Sequence, residues 1–255
     1  MLLNICYSQD FSVMKGAEIC SMKKSKIVHP ERYYTDSPGS PVHSFDVLNY
    51  KLVLDIYKCY FSPYPKNFVA SNVITFRVDS TLNNIKLNAN NTSLTIDSVR
   101  FLNGAELTYS HVSNLLTINL DRTYNPGEIV DVKIYYRHNN VSDGSFYNSG
   151  STGYIFTDAE PEGARGWFPC WDRPSDKATV DITVKVPLSV RLGSNGRLND
   201  STVTGDSIWY HWISRDPVST YLTVITSKVG YNINIVYWHK ISNPADSIPL
   251  RLYSP

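Results

Sequence analysis

The amino-acid sequence predicts an all-β protein of sandwich-like antiparallel sheets with very little helix. Aromatic and β-branched residues suit strands, and the chain has 18 Tyr and 5 Trp but only eight Ala, which suits helices best. Apolar and polar residues alternate with period two over most of the chain, as in strands with one buried face. Short strands separated by Asn, Gly and Pro turns are typical of a sandwich or a large open sheet.

The predicted strands follow one another from residue 43 onward. In chain order they cover residues 50–57, 72–78, 85–87, 94–101, 116–120, 130–136, 178–186, 207–213 and 220–227. Turn sequences separate them at Asn90-Asn91, Asn103-Gly104, Asn125-Pro126-Gly127 and Ser194-Asn195-Gly196. From the alternation we expect five apolar side chains to be buried: Leu52, Leu54, Val180, Ile182 and Val184.

Length and charge exclude several classes of protein. The chain has 255 residues, and its 24 Lys and Arg against 23 Asp and Glu make the formal charge +1. This balance argues against a nucleic-acid-binding protein with a basic face and against an acidic disordered tail. Hydrophobic residues make up 42%, which is enough for a core. No apolar run reaches the roughly 20 residues of a membrane-spanning helix, so we expect no transmembrane segment.

The cysteines and histidines show no metal-binding pattern. Four cysteines lie far apart without a C-x-x-C pair: Cys6, Cys20, Cys59 and Cys170. Isolated buried thiols are the favoured interpretation, although one disulfide among them remains open. The six histidines include no pair four residues apart and no H-E-x-x-H. The sequence therefore predicts no metal site in this chain.

One irregular segment interrupts the strand pattern over residues 153–177. It combines acidic residues and Arg165 with the aromatic residues Trp167, Phe168 and Trp171. Its three prolines restrict the backbone and predict a rigid path. A rigid, charged and aromatic loop between strands is a plausible binding edge. The alternative interpretation is structural: the aromatic residues fill the core while Glu160 and Arg165 pair with each other.

A resemblance to a known family favours the functional interpretation. The relevant motifs are the strand at residues 47–56, the run from Thr157 to Arg165, Phe168-Pro169-Cys170-Trp171-Asp172 with Pro174, Ser194-Asn195-Gly196 and Ser219-Thr220-Tyr221-Leu222. Together they resemble the N-terminal domain of the aminopeptidase N family, the gluzincin zinc metallo-aminopeptidases, over roughly residues 43–250. The resemblance implies a saddle-shaped β domain that leans on a thermolysin-like catalytic domain.

The resemblance also implies which residues bind substrate. Glu160 matches the acidic residue that binds the free α-ammonium group of a peptide substrate in the family. Asp158 stands where many relatives carry Gln and would line the first substrate pocket; this departure adds negative charge and leaves the side-chain preference in doubt. Arg165 and Asp172 are expected to support the segment through a buried ion pair or backbone hydrogen bonds. Glu162 is interpreted as a solvated neighbour, and Cys170 as packed rather than reactive.

The catalytic half of the family is not found in this sequence. Neither H-E-x-x-H nor the G-A-M-E-N substrate strand occurs. The sequence predicts a flexible leader over residues 1–42, the β domain over residues 43–230, and a truncated start of the catalytic domain over residues 231–255. Zinc is expected in the complete enzyme, and this chain alone is expected to bind no zinc tightly and to be inactive.

Two functions of different classes follow. The first is the substrate-binding N-terminal domain of a zinc aminopeptidase, whose partners are a peptide N-terminus and the missing catalytic domain. The second is a non-catalytic β interaction module related to the family. The acidic residue Glu160 favours the first, because a scaffold has no use for an ammonium receptor. The expected location is secreted or periplasmic rather than cytoplasmic.

Overall fold

A computed structural model describes residues 44–254, and strands dominate this range. The strands are β1 (Phe45–Asp55), β2 (Val69–Val78), β3 (Leu82–Asn88), β4 (Leu94–Phe101), β5 (Tyr109–Val112), β6 (Leu115–Tyr124), β7 (Ile129–His138), β8 (Phe146–Asn148), β9 (Tyr154–Thr157), β10 (Lys177–Pro187), β11 (Val190–Ser194), β12 (Arg197–Thr204), β13 (Ser207–Ser219), β14 (Ile225–Val229), β15 (Asn232–Lys240) and β16 (Asn243–Ser254). The helical elements of the described range are short 3-10 turns at Tyr57–Tyr60, Gly150–Thr152, Ala164–Gly166 and Thr220–Leu222. The all-β prediction is confirmed. The predicted leader lies outside the described residues.

The largest sheet has seven strands in the order β12-β13-β10-β1-β2-β7-β4. Its central strands β1 and β10 carry the strongest period-two alternation, and all five side chains expected to be buried lie in the core: Leu52, Leu54, Val180, Ile182 and Val184. The β1–β10 pair is parallel, whereas the other pairs are antiparallel. Parallel neighbours need a long crossover connection, and here the chain passes through β2 to β9 before β10 returns beside β1.

Two smaller sheets complete the core. The three-stranded sheet has the order β3-β6-β5, and the four-stranded sheet has the order β11-β14-β9-β8. Side chains from the inner faces of all three sheets form one continuous hydrophobic cluster. Burial of apolar surface is the main favourable contribution to folding, so this shared cluster joins the three sheets into one folding unit.

The Ser194-Asn195-Gly196 turn has a structural explanation. Gly196 adopts a positive φ of 76°, and a Cβ atom there would overlap the backbone carbonyl of Ile213. The side chain of Asn195 donates to the Leu222 carbonyl at 2.8 Å and accepts the Val224 N–H at 2.7 Å. The turn therefore fastens the end of β11 to the segment that leads into β14.

Several predicted boundaries differ from the structure. The expected strand over residues 220–227 begins with the 3-10 turn Thr220–Leu222, and β14 starts only at Ile225. The stretch between the predicted strand at residues 130–136 and the irregular segment contains β8, and the segment expected to be irregular from residue 153 begins with β9. Strands of three or four residues are too short for alternation to reveal them.

The last two strands, β15 and β16, form a separate antiparallel hairpin. Its apolar side chains are largely exposed, including Trp238 and Ile248 at about half of their surface. The hydroxyl of Tyr253 donates to the Leu192 carbonyl at 3.1 Å and connects the hairpin to β11. Whether residues 231–255 begin a catalytic domain stays a prediction, as does the domain boundary at residue 230. Across residues 44–254, no helix combines the length and the apolar character of a membrane span.

Candidate functional site

The candidate site lies on the irregular connection between β9 and β10, residues 158–176, which we call the site segment. Trp167, Phe168 and Cys170 of this segment are fully buried in the core. Trp171 is half-buried, and its ring packs edge-on against Phe45 at a centroid distance of 5.9 Å. The aromatic residues therefore fill the core, as the structural interpretation expected. Their burial anchors the middle of the segment.

Hydrogen bonds from distant strands fasten the backbone of the site segment. Asn88 at the end of β3 exchanges two backbone hydrogen bonds with Cys170, at 2.7 and 3.1 Å. The buried amide of Asn72 in β2 donates to the Pro169 carbonyl at 2.8 Å. The hydroxyl of Tyr50 in β1 accepts the N–H of Trp171 at 3.0 Å. The segment is irregular but held at several points, so it can present side chains at fixed positions.

Asp172 is the centre of the charged network that supports the segment. Its carboxylate is fully buried, and Oδ2 accepts the Arg165 Nε–H at 2.8 Å and the Arg165 backbone N–H at 3.2 Å. The hydroxyl of Thr220 donates to Oδ1 at 2.9 Å, and the Asn88 side chain accepts the Asp172 N–H at 3.0 Å. Burial lowers the pKa of Arg165, but Asp172 outweighs this effect and raises it, so the guanidinium stays charged.

Glu162 belongs to the same network, and its interpretation as a solvated neighbour is wrong. Its carboxylate accepts from Arg165 Nη2 at 2.8 Å and from Arg173 Nη1 at 2.6 Å, and the side chain is only 21% exposed. The sequence-based alternative paired Arg165 with Glu160; the structure pairs it with Asp172 and Glu162. The four alternating charges connect the turn Ala164–Gly166 to Asp172 and Arg173, which shortly precede β10.

Asp158 and Glu160 lie on the first turn of the site segment. Asp158 is buried at 9% exposure, and its N–H donates to the Ser145 carbonyl at 2.9 Å. Glu160 is half-buried, and its N–H lies 3.5 Å from Asp158 Oδ1. The peptide bond between Glu160 and Pro161 is cis.

The two cysteines in the described range are free and buried. Burial raises the pKa of Cys59 to about 12 and that of Cys170 well above its ordinary value. A thiol with a raised pKa is a poor nucleophile at neutral pH, so both behave as packing residues. Cys6 and Cys20 lie outside the described residues.

The described residues contain no cluster of three His, Cys, Asp or Glu that could hold a metal ion. His211 lies between two aspartates. Its Nε2 faces Asp181 at 2.7 Å and its Nδ1 faces Asp200 at 3.0 Å. The two carboxylates lie on opposite sides of the ring, so the three groups cannot converge on one ion. The donor set of this part of the chain does not fit zinc.

Sequence reasoning missed the partners that hold the segment from a distance. Asn88 and Thr220 both form hydrogen bonds with Asp172. Asn88 lies dozens of residues before it in the sequence, and Thr220 lies dozens of residues after it. For Thr220 a signal was present, because it lies in the Ser219-Thr220-Tyr221-Leu222 motif. Asn88 carries no signal that distinguishes it from the other asparagines of the chain.

Comparison with protein families now gives the classification. The family model described as the Peptidase M1 N-terminal domain matches residues 48–222, more than half of the chain. The chain belongs to this family. The matched range contains the site segment and, apart from Val47, every motif on which the resemblance rested. The N-terminal domain of the aminopeptidase N family was therefore correctly identified from the sequence.

Individual relatives of this M1 N-terminal domain agree with the classification. Aminopeptidase M1 of Arabidopsis thaliana is 32% identical over 107 residues, which are 42% of this chain and 11% of that protein. Leucine aminopeptidase 2 of Candida albicans is 29% identical over 139 residues, which are 53% of this chain and 21% of that protein. The chain therefore spans only a small part of the curated relatives it matches.

Solved structures share the fold. An M1 zinc metallopeptidase from Deinococcus radiodurans superimposes with a TM-score of 0.70 at 22% identity, covering 82% of this chain and 47% of that protein. A mutant of that enzyme bound to a Tyr-Ser-Ala substrate gives a TM-score of 0.71 at 22% identity over the same shares. The M1 N-terminal domain therefore shares its fold with about half of each of these proteins.

Proposed function

We propose that this M1 N-terminal domain binds the free amino terminus of a peptide for a zinc aminopeptidase. In this proposal the carboxylate of Glu160 receives the α-ammonium group and Asp158 lines the pocket for the first side chain. The observation that carries the proposal is the placement of Glu160. It lies half-buried, two residues from a buried aspartate, on a segment that the core and a charged network hold in place.

The chemistry of the amine explains why a carboxylate is suited to this task. The α-amino group has a pKa near 8, so it is mostly charged at neutral pH. A half-buried carboxylate beside it forms a charge-assisted hydrogen bond, which is stronger than a neutral one. An internal peptide bond offers no such charge and would leave the carboxylate unpaired. Glu160 would thus favour free N-termini over internal bonds.

The network around Asp172 supports the same proposal. Substrate positioning requires functional groups that are held within about half an ångström of the productive geometry. Arg165, Asp172 and Glu162 close the turn that directly follows Glu160 and Pro161. We expect these residues to act as structural support for the carboxylate and not to contact substrate.

The zinc ion and the hydrolytic machinery would come from a separate catalytic domain. The described residues offer no donor set for zinc. In such an enzyme zinc would activate the attacking water, while this chain would bind and orient the substrate amine. We expect the chain alone to bind no zinc tightly and to cleave no aminoacyl-anilide substrate. Chelator-sensitive turnover by the purified chain would contradict this.

The proposal can be tested in a joined enzyme. Residues 44–254 would replace the superimposable part of the Deinococcus radiodurans enzyme, upstream of its catalytic half. Removing one partner of a buried charge pair costs about 2–5 kcal/mol. At about 1.4 kcal/mol per decade, Glu160→Ala should lower kcat/KM by about 30-fold to several thousand-fold. Glu160→Gln keeps the shape and one acceptor, so its loss should be smaller.

Glu106→Ala is the matched control. Glu106 is 75% exposed and pairs only at the surface with Arg100, so this variant should keep kcat/KM close to that of the unmodified joined enzyme. Glu162→Ala does not serve as a control, because Glu162 is part of the supporting network. Full kcat/KM in Glu160→Ala would refute the proposal, as would a folded, zinc-loaded joined enzyme without activity.

A further inference from the structure

A buried histidine and a buried aspartate lie close together beside the site segment. His138, the last residue of β7, is fully buried, and its ring stacks on Phe68 at a centroid distance of 5.1 Å. Its Nε2 lies 3.5 Å from Oδ2 of Asp143, whose side chain is only 7% exposed. This separation is within the range of an ion pair but is longer than a hydrogen bond, and no hydrogen bond forms between these two atoms. None of the proposed substrate contacts involves these residues.

Asp143 organises the loop between β7 and β8. Its Oδ1 accepts the N–H of Ser145 at 2.8 Å and approaches the N–H of Phe146 at 3.4 Å. Burial would raise the pKa of Asp143, but His138, the hydroxyl of Ser93 and the N–H of Ser145 outweigh it and lower the pKa to about 2. The carboxylate is therefore ionised at neutral pH and holds the loop from two sides.

The loop that Asp143 organises contacts the site segment at two points. The carbonyl of Ser145 accepts the N–H of Asp158, two residues before Glu160. At the other point the loop lies against Gly166. A Cβ atom on Gly166 would overlap Ser145 Oγ and would lie 2.9 Å from Asp143 Oδ2. Both ends of the turn that carries Glu160 therefore rest on the loop.

We propose that Asp143, held by His138, is a positioning residue that sets the backbone of the Asp158–Gly166 turn through Ser145. The effect on catalysis rests on the proposed function of Glu160, whereas the effect on the turn does not. A buried carboxylate is costly unless it is paired and hydrogen-bonded. Here its hydrogen bonds are directed to the loop that the turn contacts. When the negative charge of Asp143 is removed, the Asp158–Gly166 turn should become more mobile while the sheets keep their stability.

The first test is amide hydrogen exchange in the full 255-residue chain. Asp143→Asn keeps the shape of the side chain and removes its charge, and His138→Phe keeps a ring beside Phe68 and removes Nε2. Each should accelerate exchange of the Asp158 amide about tenfold or more while central amides such as that of Val184 are unchanged. Asp97→Asn, which alters a surface ion pair with Arg137, is the matched control and should change neither amide.

The pKa of the Asp143 carboxyl group, measured by titration, distinguishes loss of the His138 contact from a simple loss of packing. In His138→Phe the pKa of Asp143 should rise from about 2 towards its ordinary value near 3.9. Unchanged exchange at Asp158 in Asp143→Asn would overturn the proposal. Equal acceleration of all amides, or failure of both variants to fold, would do the same, because the pair would then stabilise the whole domain.

Kinetics in the joined enzyme separate this proposal from the proposed function. Asp143→Asn should raise KM several-fold with a smaller change in kcat, because it displaces a binding group and not the hydrolytic machinery. If exchange at Asp158 accelerates in Asp143→Asn but Glu160→Ala keeps full kcat/KM, the positioning role stands and the role of Glu160 is wrong. If Glu160→Ala lowers kcat/KM but exchange at Asp158 does not respond to Asp143→Asn, the positioning proposal alone fails.

Discussion

Removal of the Asp172 carboxylate should strongly destabilise the domain. The carboxylate is fully buried and accepts hydrogen bonds from Arg165 Nε–H, the Arg165 backbone N–H and the Thr220 hydroxyl. Asp172→Ala leaves the Arg165 guanidinium, which is only 20% exposed, without this partner. Breaking a buried pair by removing one member costs about 3–5 kcal/mol. We therefore expect a loss of this size in the free energy of unfolding.

Urea unfolding of the 255-residue chain, followed by tryptophan fluorescence, measures this loss. With a denaturant slope of about 2–3 kcal/mol per molar, the midpoint should fall by about 1–2.5 M. Asp172→Asn retains an acceptor for Thr220 and should lie between Asp172→Ala and the unmodified chain. Asp97→Ala, at an exposed ion pair, should cost about 1 kcal/mol or less. A loss below about 1 kcal/mol in Asp172→Ala would refute the supporting role of the network.

Three further predictions concern stability and are read from the same urea midpoints. Gly196→Ala should destabilise the domain more than Gly205→Ala. Both glycines have positive φ, but only at Gly196 would a Cβ atom overlap backbone atoms. We therefore expect a loss of about 2 kcal/mol or more for Gly196→Ala and about 1 kcal/mol for Gly205→Ala. Burial lowers the pKa of His211, but its two aspartate partners raise it overall. Its contribution is complete below the ordinary pKa of about 6.5 and is lost as the pH rises through the raised pKa, so His211→Gln should abolish a decline in stability above about pH 6.5. Glu162→Ala should cost about 1 kcal/mol, because two arginines lose their shared carboxylate. Equal costs at the two glycines, an unchanged decline in His211→Gln, or no cost in Glu162→Ala would contradict the respective prediction.

The long strands were predictable because their burial pattern is local. In β10 every second residue is apolar from Ala178 to Val186, and in β1 the same alternation runs from Tyr50 to Leu54, so the buried face follows directly. The parallel pairing of these two strands was not predictable, because alternation indicates a strand but not its neighbour. The short strands β8 and β9 were missed, since three or four residues do not show a period.

The candidate site was predictable in its residue types more than in its contacts. The site segment was recognised from its acids, aromatic residues and prolines, and the pairing of Arg165 with Asp172 was expected. The pairing of Glu162 with Arg173 was missed, because the irregular backbone between them has no period from which to infer which side chains meet. The contacts of Asn88 and Thr220 depend on how distant strands are arranged, which one sequence does not state.

The central claim is that Glu160 binds the substrate amine. The most direct measurement is a crystal structure of the joined enzyme with a peptide bound at its amino terminus. We expect an oxygen of the Glu160 carboxylate to lie about 2.7–2.9 Å from the α-amino nitrogen of the peptide, which is the distance of a charge-assisted hydrogen bond. A peptide whose amine is held by other residues, with the Glu160 carboxylate more than about 4 Å away, would contradict it.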